Sequence, residues 1–321
     1  MFRFLVRRLL IGVLTLWLVS SSVFVLAYWL PADPARTIAG ERATQETVDK
    51  VHRALGLGDP LIVRYGRYMG RLVRLDLGDS YVNGGATVWS LIRSSLPTTM
   101  WLVFGAGVIW LAFGIVTGVL SATKARGLFD RAATVFVLTG ISIPPAVLAL
   151  TLMYLLFFQL RTTWGIPLFD VGQPGSVVAE PGQFLSRMAL PWISLAYLMT
   201  ATYTRLTRSS MLEVLGEDYI RTARAKGLPE RRVVYRHGLR AALTPVITQF
   251  GVDIGYLIGG TLVTESVFAL NGFGYLAVHS LTVGDTPTVI GVTIFVAIFV
   301  VIANLVVDIL YSFLDPRVRR T

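Results

Sequence analysis

The three histidines of this 321-residue chain, His52, His237 and His279, stand too far apart to suggest a metal-ligand cluster, and cysteine is absent. Disulfides, thiolate nucleophiles and thiolate metal sites are removed together. The chain has no Gly-x-x-x-x-Gly-Lys-Ser/Thr loop to cradle a nucleotide phosphate, no His-Glu-x-x-His pair and no Gly-x-Ser-x-Gly elbow. On its own residues it offers no catalytic, cofactor-binding or metal-binding constellation. It reads as a conduit or a scaffold whose energy comes from an ion gradient or from another subunit. Two places remain where charge could do chemistry: Asp253, alone in an apolar stretch, and the dense charged segment between Glu213 and Arg240.

The elements that position them are apolar. Hydrophobic residues make up 54% of the chain and charged ones 15%, against about a quarter charged in soluble domains, and the mean hydropathy is +0.65. Runs of about 20 apolar residues can cross a bilayer. Six are found, at Leu9–Leu30, Pro97–Thr123, Ala132–Gln159, Leu190–Tyr203, Thr244–Thr264 and Val289–Tyr311. The first exceeds the apolar core of a secretory signal and ends in the interfacial pair Tyr28-Trp29, so it is expected to stay as an uncleaved helix. Pro144-Pro145 predicts a kink or break in the third. The expectation is an all-α integral membrane protein with six transmembrane helices.

The net charge of +10 follows orientation rather than a nucleic-acid partner. With the N-terminus inside, 18 basic residues and six acids lie on the inner side, including seven basic residues between Arg221 and Arg240. The positive-inside rule then places both termini in the cytoplasm of a prokaryotic plasma membrane. Residues 1–30 form the first helix and 31–96 an extracytoplasmic subdomain. Residues 97–311 form a core of five helices with an inner loop at 209–243, and 312–321 a cytoplasmic tail. Within 31–96, helical spacing marks Thr47–Leu57, with Gly56 and Gly58 as stops, and an amphipathic stretch Leu61–Leu75 carrying Tyr65, Tyr68 and four arginines. That subdomain is a solvated lid or a docking surface. Arg161 to Arg187, with three prolines, reads as loop.

In the inner loop, Glu213 to Lys226 reads as one helix, broken by Gly227-Leu228-Pro229 and followed by a basic helix from Glu230 to Leu243. Such a basic pair of helices either anchors to anionic lipid or docks a cytoplasmic protein. Gly251, Gly255 and Gly259 recur every four residues, and Gly114 and Gly118 do so once, giving smooth stripes for close helix packing, within the chain or against a partner. Asp253 meets a cation or an amino terminus in a translocation path, or is paired structurally. Asp308 is expected to pair with an arginine of the inner loop. An ion-coupled secondary transporter usually buries several ionisable residues and repeats its halves; only Asp253 lies deep here and no repeat is seen.

The inner loop carries a resemblance. Asp218-Tyr219-Ile220-Arg221-Thr222-Ala223-Arg224-Ala225-Lys226-Gly227, then His237-Gly238-Leu239-Arg240 and Leu243-Thr244-Pro245, is similar to the coupling loop of the dipeptide, oligopeptide and nickel permeases of ATP-binding-cassette (ABC) importers. Likeness extends over nearly the whole chain: Phe4 to Leu10, Leu55-Gly56-Leu57-Gly58-Asp59-Pro60-Leu61, Asp76-Leu77-Gly78-Asp79-Ser80, and Leu305 to Asp308 with Leu314 to Arg319. The pattern resembles the B-type of the two paired permeases. One departure is Arg221-Thr222-Ala223 where the wider superfamily has Glu-Ala-Ala, so Glu217 or Asp218 would have to supply the acid.

The resemblance implies the type I permease fold and a hetero-oligomer. A second homologous permease would complete the path, with two ABC ATPases beneath and an extracytoplasmic substrate-binding protein above. ATP and Mg2+ would be bound in the ATPase subunits and not by this chain. It implies coupling through Glu217, Asp218, Tyr219, Arg221, Thr222, Ala223, Arg224, Ala225, Lys226, Gly227 and His237, with lipid contact as a side role. It implies a peptide cargo, with nickel, haem and glutathione as alternatives in the same family.

Overall fold

A computed structural model describes residues 2–29, 34–39, 43–54, 58–80 and 82–314. The expectations placed on Gly56, the side chain of Asp308 and the tail from residue 315 lie outside the described residues, as do the surroundings of Gly255 and Gly259. Every regular element among the described residues is a helix, apart from one isolated β-bridge, Asp79 to Thr87.

The first predicted span is α1 (Phe2–Phe24), continued by a π-helical turn at Val25–Trp29. Three helices follow: α2 (Pro34–Ala39), α3 (Gln45–Ala54) and α4 (Leu61–Val73). The second span is α5 (Val88–Thr123), whose 36 residues exceed a bilayer's thickness. The third is interrupted as the two prolines require. Helix α6 (Leu128–Ser142) stops at the extended Ile143, and α7 (Pro145–Leu152) restarts behind Pro144. It continues through π-helical Met153–Gln159 into α8 (Leu160–Thr163).

The helix through the fourth predicted span is much longer than that charge-free window. Helix α9 (Pro181–Leu215) takes in the last seven residues of the stretch read as loop, because Pro181 suits the first helical turn. It runs on past Arg205 and Arg208 at the other end. Hydropathy windows stop at charges; helices need not when the charges are partnered. Arg187 donates to Asp170 at 3.0 Å and to the Gln173 carbonyl at 2.8 Å, and Arg208 is paired with Asp130.

The charged loop before the fifth predicted span holds α10 (Asp218–Ala225) and α11 (Glu230–Arg232), the latter continued by π-helical Val233–Gly238 into α12 (Leu239–Gly260), which runs through that span. After α13 (Leu262–Val267) and α14 (Phe273–Thr282), the last span is α15 (Thr286–Leu314). By length and apolarity alone, four stretches among the described residues can cross a membrane: Val6–Ala27, Val88–Thr123, Pro145–Thr163 and Thr286–Val306. Helices α9 and α12 run through the two other predicted spans.

The chain forms two compact units. In the first (Met1–Thr99, Ile258–Leu262, Asn271–Thr321), Phe24 of α1, Tyr68 of α4 and Ile294 of α15 make a shared core. The segment Asp76 to Ser80 is a tight turn: Gly78 sits at φ +80°, its N–H bonds the Asp76 carboxylate, and its carbonyl accepts from Val88 N–H. The turn delivers the Ser80 hydroxyl to the buried carboxylate of Asp285 at 2.5 Å, and Thr288 donates to the same oxygen at 2.7 Å. This turn fastens the segment after the first helix to the start of the last.

In the second unit (Met100–Leu257, Val263–Leu270), α5 and α9 run side by side in the same direction. Gly105 lies against Trp192, Gly114 against Tyr203, and Gly118 against Thr207, while Thr117 and Thr204 share a hydrogen bond of 2.6 Å. A Cβ on Gly114 or Gly118 would stand 2.6 or 2.5 Å from the facing Cβ, so the two backbones approach as only glycine permits. Helix α6 runs the opposite way along α9: Asp130 meets Arg208, and further along Gly140 meets Ala201 and Phe136 packs edge-on against Tyr197 at 4.8 Å. Parallel α5 and α9 with one antiparallel element between them are what a single intervening crossing produces.

Candidate functional site

The segment Glu213 to Lys226 is two pieces rather than the single predicted helix. Glu213, Val214 and Leu215 are the last turn of α9, and Gly216 and Glu217 separate them from α10. Glu217 takes an extended conformation (φ −69°, ψ 150°) that turns the chain into the short helix. Gly216, a poor helix former, weakens the continuation of α9 at this point.

The predicted stop at Gly227 has the full hydrogen-bond pattern of a helix C-terminus. Gly227 is left-handed (φ +74°), its N–H bonds the Arg224 carbonyl at 2.9 Å, and Leu228 N–H reaches the Ala223 carbonyl at 3.4 Å. Leu228 then folds back onto the apolar underside of α10. That underside is Ile220 and Ala223, buried with Val233 against Val214 and Leu215. Across the turn, Arg224 grips the Glu230 carboxylate with Nε at 3.1 Å and Nη2 at 2.8 Å. The guanidinium holds the Glu230 carboxyl below its ordinary range and the carboxylate raises Arg224 in turn. The loop is a braced knob, not a slack linker.

The coupling residues named above therefore divide between two faces. Ala223 points into the knob, where it holds α10 in place. Glu217, Asp218, Tyr219, Arg221, Thr222, Arg224, Ala225 and Lys226 are exposed, and His237 is half-buried. Asp218 lies 3.4 Å from Arg221, a surface pair of little energetic weight. Beside α10, Tyr219, Arg236, His237, Arg240 and Ala241 line a recess of about 540 Å³. Burial first, then the charge of Glu217, push the Tyr219 hydroxyl up from its ordinary value. The knob offers a basic, hydrogen-bonding surface on a rigid base.

A second charged feature is a pair that the charge count only tallied among the inner-side residues. Asp130, in the first turn of α6, is almost fully buried. Arg208 of α9 donates to both its oxygens, Ser121 of α5 donates to one, and Arg126 N–H to the other at 2.8 Å. The guanidinium and these donors hold the Asp130 carboxyl far below the usual range. One sequence signal could have found it: Asp130 is the one acid before Glu213 among the residues predicted to lie on the inner side.

Asp253 of α12 accepts from the Tyr203 hydroxyl at 2.8 Å and from Gln249 at 2.9 Å. Tyr203 in turn packs on Trp110, which meets Phe250 at 5.7 Å. Gly114 and Gly118 sit at the α5–α9 contact, and Gly251 is buried on α12.

Two family profiles cover this arrangement. "Binding-protein-dependent transport system inner membrane component" matches residues 114–320, and the corresponding N-terminal profile matches residues 1–103. The chain is 37% identical over 317 residues to an oligopeptide transport system permease protein of Bacillus subtilis, covering 98% of each. It is 35% identical over 319 residues to a glutathione transport system permease protein of Escherichia coli K12, covering 99% of each. A putative peptide permease protein of Brucella suis is 36% identical over 323 residues, covering 100% of each. Matches along the whole length are decisive: this chain belongs to the inner-membrane components of binding-protein-dependent transport systems, as an all-α, multi-pass permease subunit of an ABC importer rather than a catalytic subunit.

Proposed function

We propose that this permease serves a peptide importer, forming half of the translocation path with a second homologous permease, above two ABC ATPases and beneath an extracytoplasmic substrate-binding protein. One observation carries the cargo: relatives matched end to end are named for oligopeptide, peptide and glutathione transport, and glutathione is itself a tripeptide. In this reading the chain has no enzymatic activity, and ATP with Mg2+ is bound and hydrolysed by the partners.

Both termini then lie in the cytoplasm, with residues 31–96 outside and the tail 312–321 inside. The exposed face of α10, from Asp218 to Lys226 with Tyr219 and His237 beside it, docks in the ATPase. Gly227 and the buried Ala223 hold that face at its angle, so that closure of the ATPase pushes on a rigid element. The glycines 114, 118, 251, 255 and 259 are packing surfaces, the first two within this chain. Asp253 is a candidate for the path, and its hydrogen bonds from Tyr203 and Gln249 give its charge a local partner set without a coupled ion.

The test is uptake. In a host stripped of peptide importers, the chain with its partner subunits should support ATP-dependent uptake of labelled di-, tri- or oligopeptides. Uptake of nickel or haem alone would replace the cargo. Uptake driven by an ion gradient without ATPase subunits would replace the mechanism.

A further inference from the structure

Helix α4 has three faces rather than two. Tyr65, Tyr68, Met69 and Leu72 pack on Phe24 of α1 and on Ile290, Ile294 and Ile298 of α15. Arg64, Arg67 and Arg71, with Arg74 at the C-cap, are spaced as a single stripe of a helix. The remaining face presents Ile62, Val63 and Val73, which are 84%, 48% and 80% exposed. A helix lying in water on a protein surface has one apolar face, turned inward. This one has a second, turned outward.

The depth at which α4 is held accounts for that face. The Tyr65 hydroxyl is 2.8 Å from Ser21 Oγ. Ser21 lies inside the span Val6–Ala27, about 9 Å from its end at 1.5 Å per residue. The α15 residues that touch α4 lie roughly 6 to 18 Å past the start of the span Thr286–Val306. Helix α4 is therefore level with the headgroups and upper acyl chains, not above them. Arg67 reaches Asp59 at 2.8 Å, whereas Arg71 and Arg74 are exposed and enter no ion pair among the described residues.

We propose that α4 is an interfacial helix that binds anionic phospholipid. Ile62, Val63 and Val73 enter the acyl region while the arginine stripe reaches lipid phosphates, its aliphatic stems lying along the apolar surface. Which leaflet this is rests on the orientation proposed above.

The absence of cysteine permits single labels at Ile62→Cys or Val73→Cys. The assembled importer, its other subunits free of cysteine, would be reconstituted in phosphatidylglycerol/phosphatidylcholine nanodiscs. A nitroxide at either site should collide more with oxygen than with an aqueous nickel chelate. Preference for the chelate would place the face in water and overturn the proposal. Protection from both would place it against protein and overturn it equally. Arg71→Gln with Arg74→Gln should weaken retention of phosphatidylglycerol by about fivefold per arginine, and unchanged retention would also overturn it. A membrane-impermeant maleimide on Val82→Cys reports separately which side the segment faces, so a wrong orientation is distinguished from a failed lipid contact.

Discussion

Arg208 and Asp130, 78 residues apart, form a two-pronged ion pair in which Nε and Nη2 donate to opposite carboxylate oxygens at 2.7 and 2.9 Å. Ser121 joins the same carboxylate, so α5, α6 and α9 meet at one acid. Asp130→Asn keeps the shape but leaves Arg208 without its counter-charge, which costs more than removing both charges. The expected order of thermal stability of the detergent-solubilised complex is wild type, then Asp130→Asn with Arg208→Gln, then Asp130→Asn alone. Arg208→Lys should not rescue, because an ammonium lacks the fork.

The same pair fixes a pH dependence. The folded carboxyl of Asp130 lies below its unfolded value, near 3.9. Its stabilisation is then fully present above that value and lost as pH falls through and below it. Between pH 5 and 8 it contributes no slope. A stability profile taken down to pH 3 should show a steep acid limb that flattens in Asp130→Asn.

Gly227 at φ +74° is the hinge pin of the knob. Gly227→Ala should destabilise it by about 1–2 kcal/mol, the cost of the left-handed conformation to a residue with a Cβ. If the loop couples, peptide uptake per ATP hydrolysed falls while the complex remains assembled. Equal ratios in wild type and variant would remove the loop from coupling.

The two faces of α10 predict opposite phenotypes. Arg221→Glu or Lys226→Glu, both on the exposed face, should weaken ATPase co-purification and leave thermal stability unchanged. Ala223→Leu, which overfills the packed underside, should destabilise by about 1–3 kcal/mol. Co-purification and a melting curve on the same preparations separate them.

Asp253→Asn retains an oxygen for the Tyr203 hydroxyl. ATP-dependent uptake should persist, with no new or lost response to a collapsed ion gradient. Loss of gradient dependence in this variant would favour ion coupling instead.

Much of this was legible in the residues. A span needs only about 20 apolar side chains in a row, a local property, so the six stretches and the doubled proline break were readable one segment at a time. Gly227 was readable as a stop for the same reason: a left-handed cap needs glycine whatever surrounds it. Two local readings failed. The continuous helix from Glu213 failed because Gly216 and Glu217 turn the chain so that Ile220 and Ala223 can bury against Val233. The loop read up to Arg187 failed because Pro181 opens α9, a helix in which Arg187 and Arg208 find acids 17 and 78 residues away.

Sequence by itself determined that this chain lives in a membrane, where it breaks and which loop carries the charge, since lipid acts on each segment independently. Only the tertiary structure decided which charges are partnered, which side of α10 faces out and that α4 packs on α1 and α15. Those depend on Asp130, Val233 and Ile298 arriving from elsewhere in the chain, and pairing at such distances leaves no trace in the local pattern.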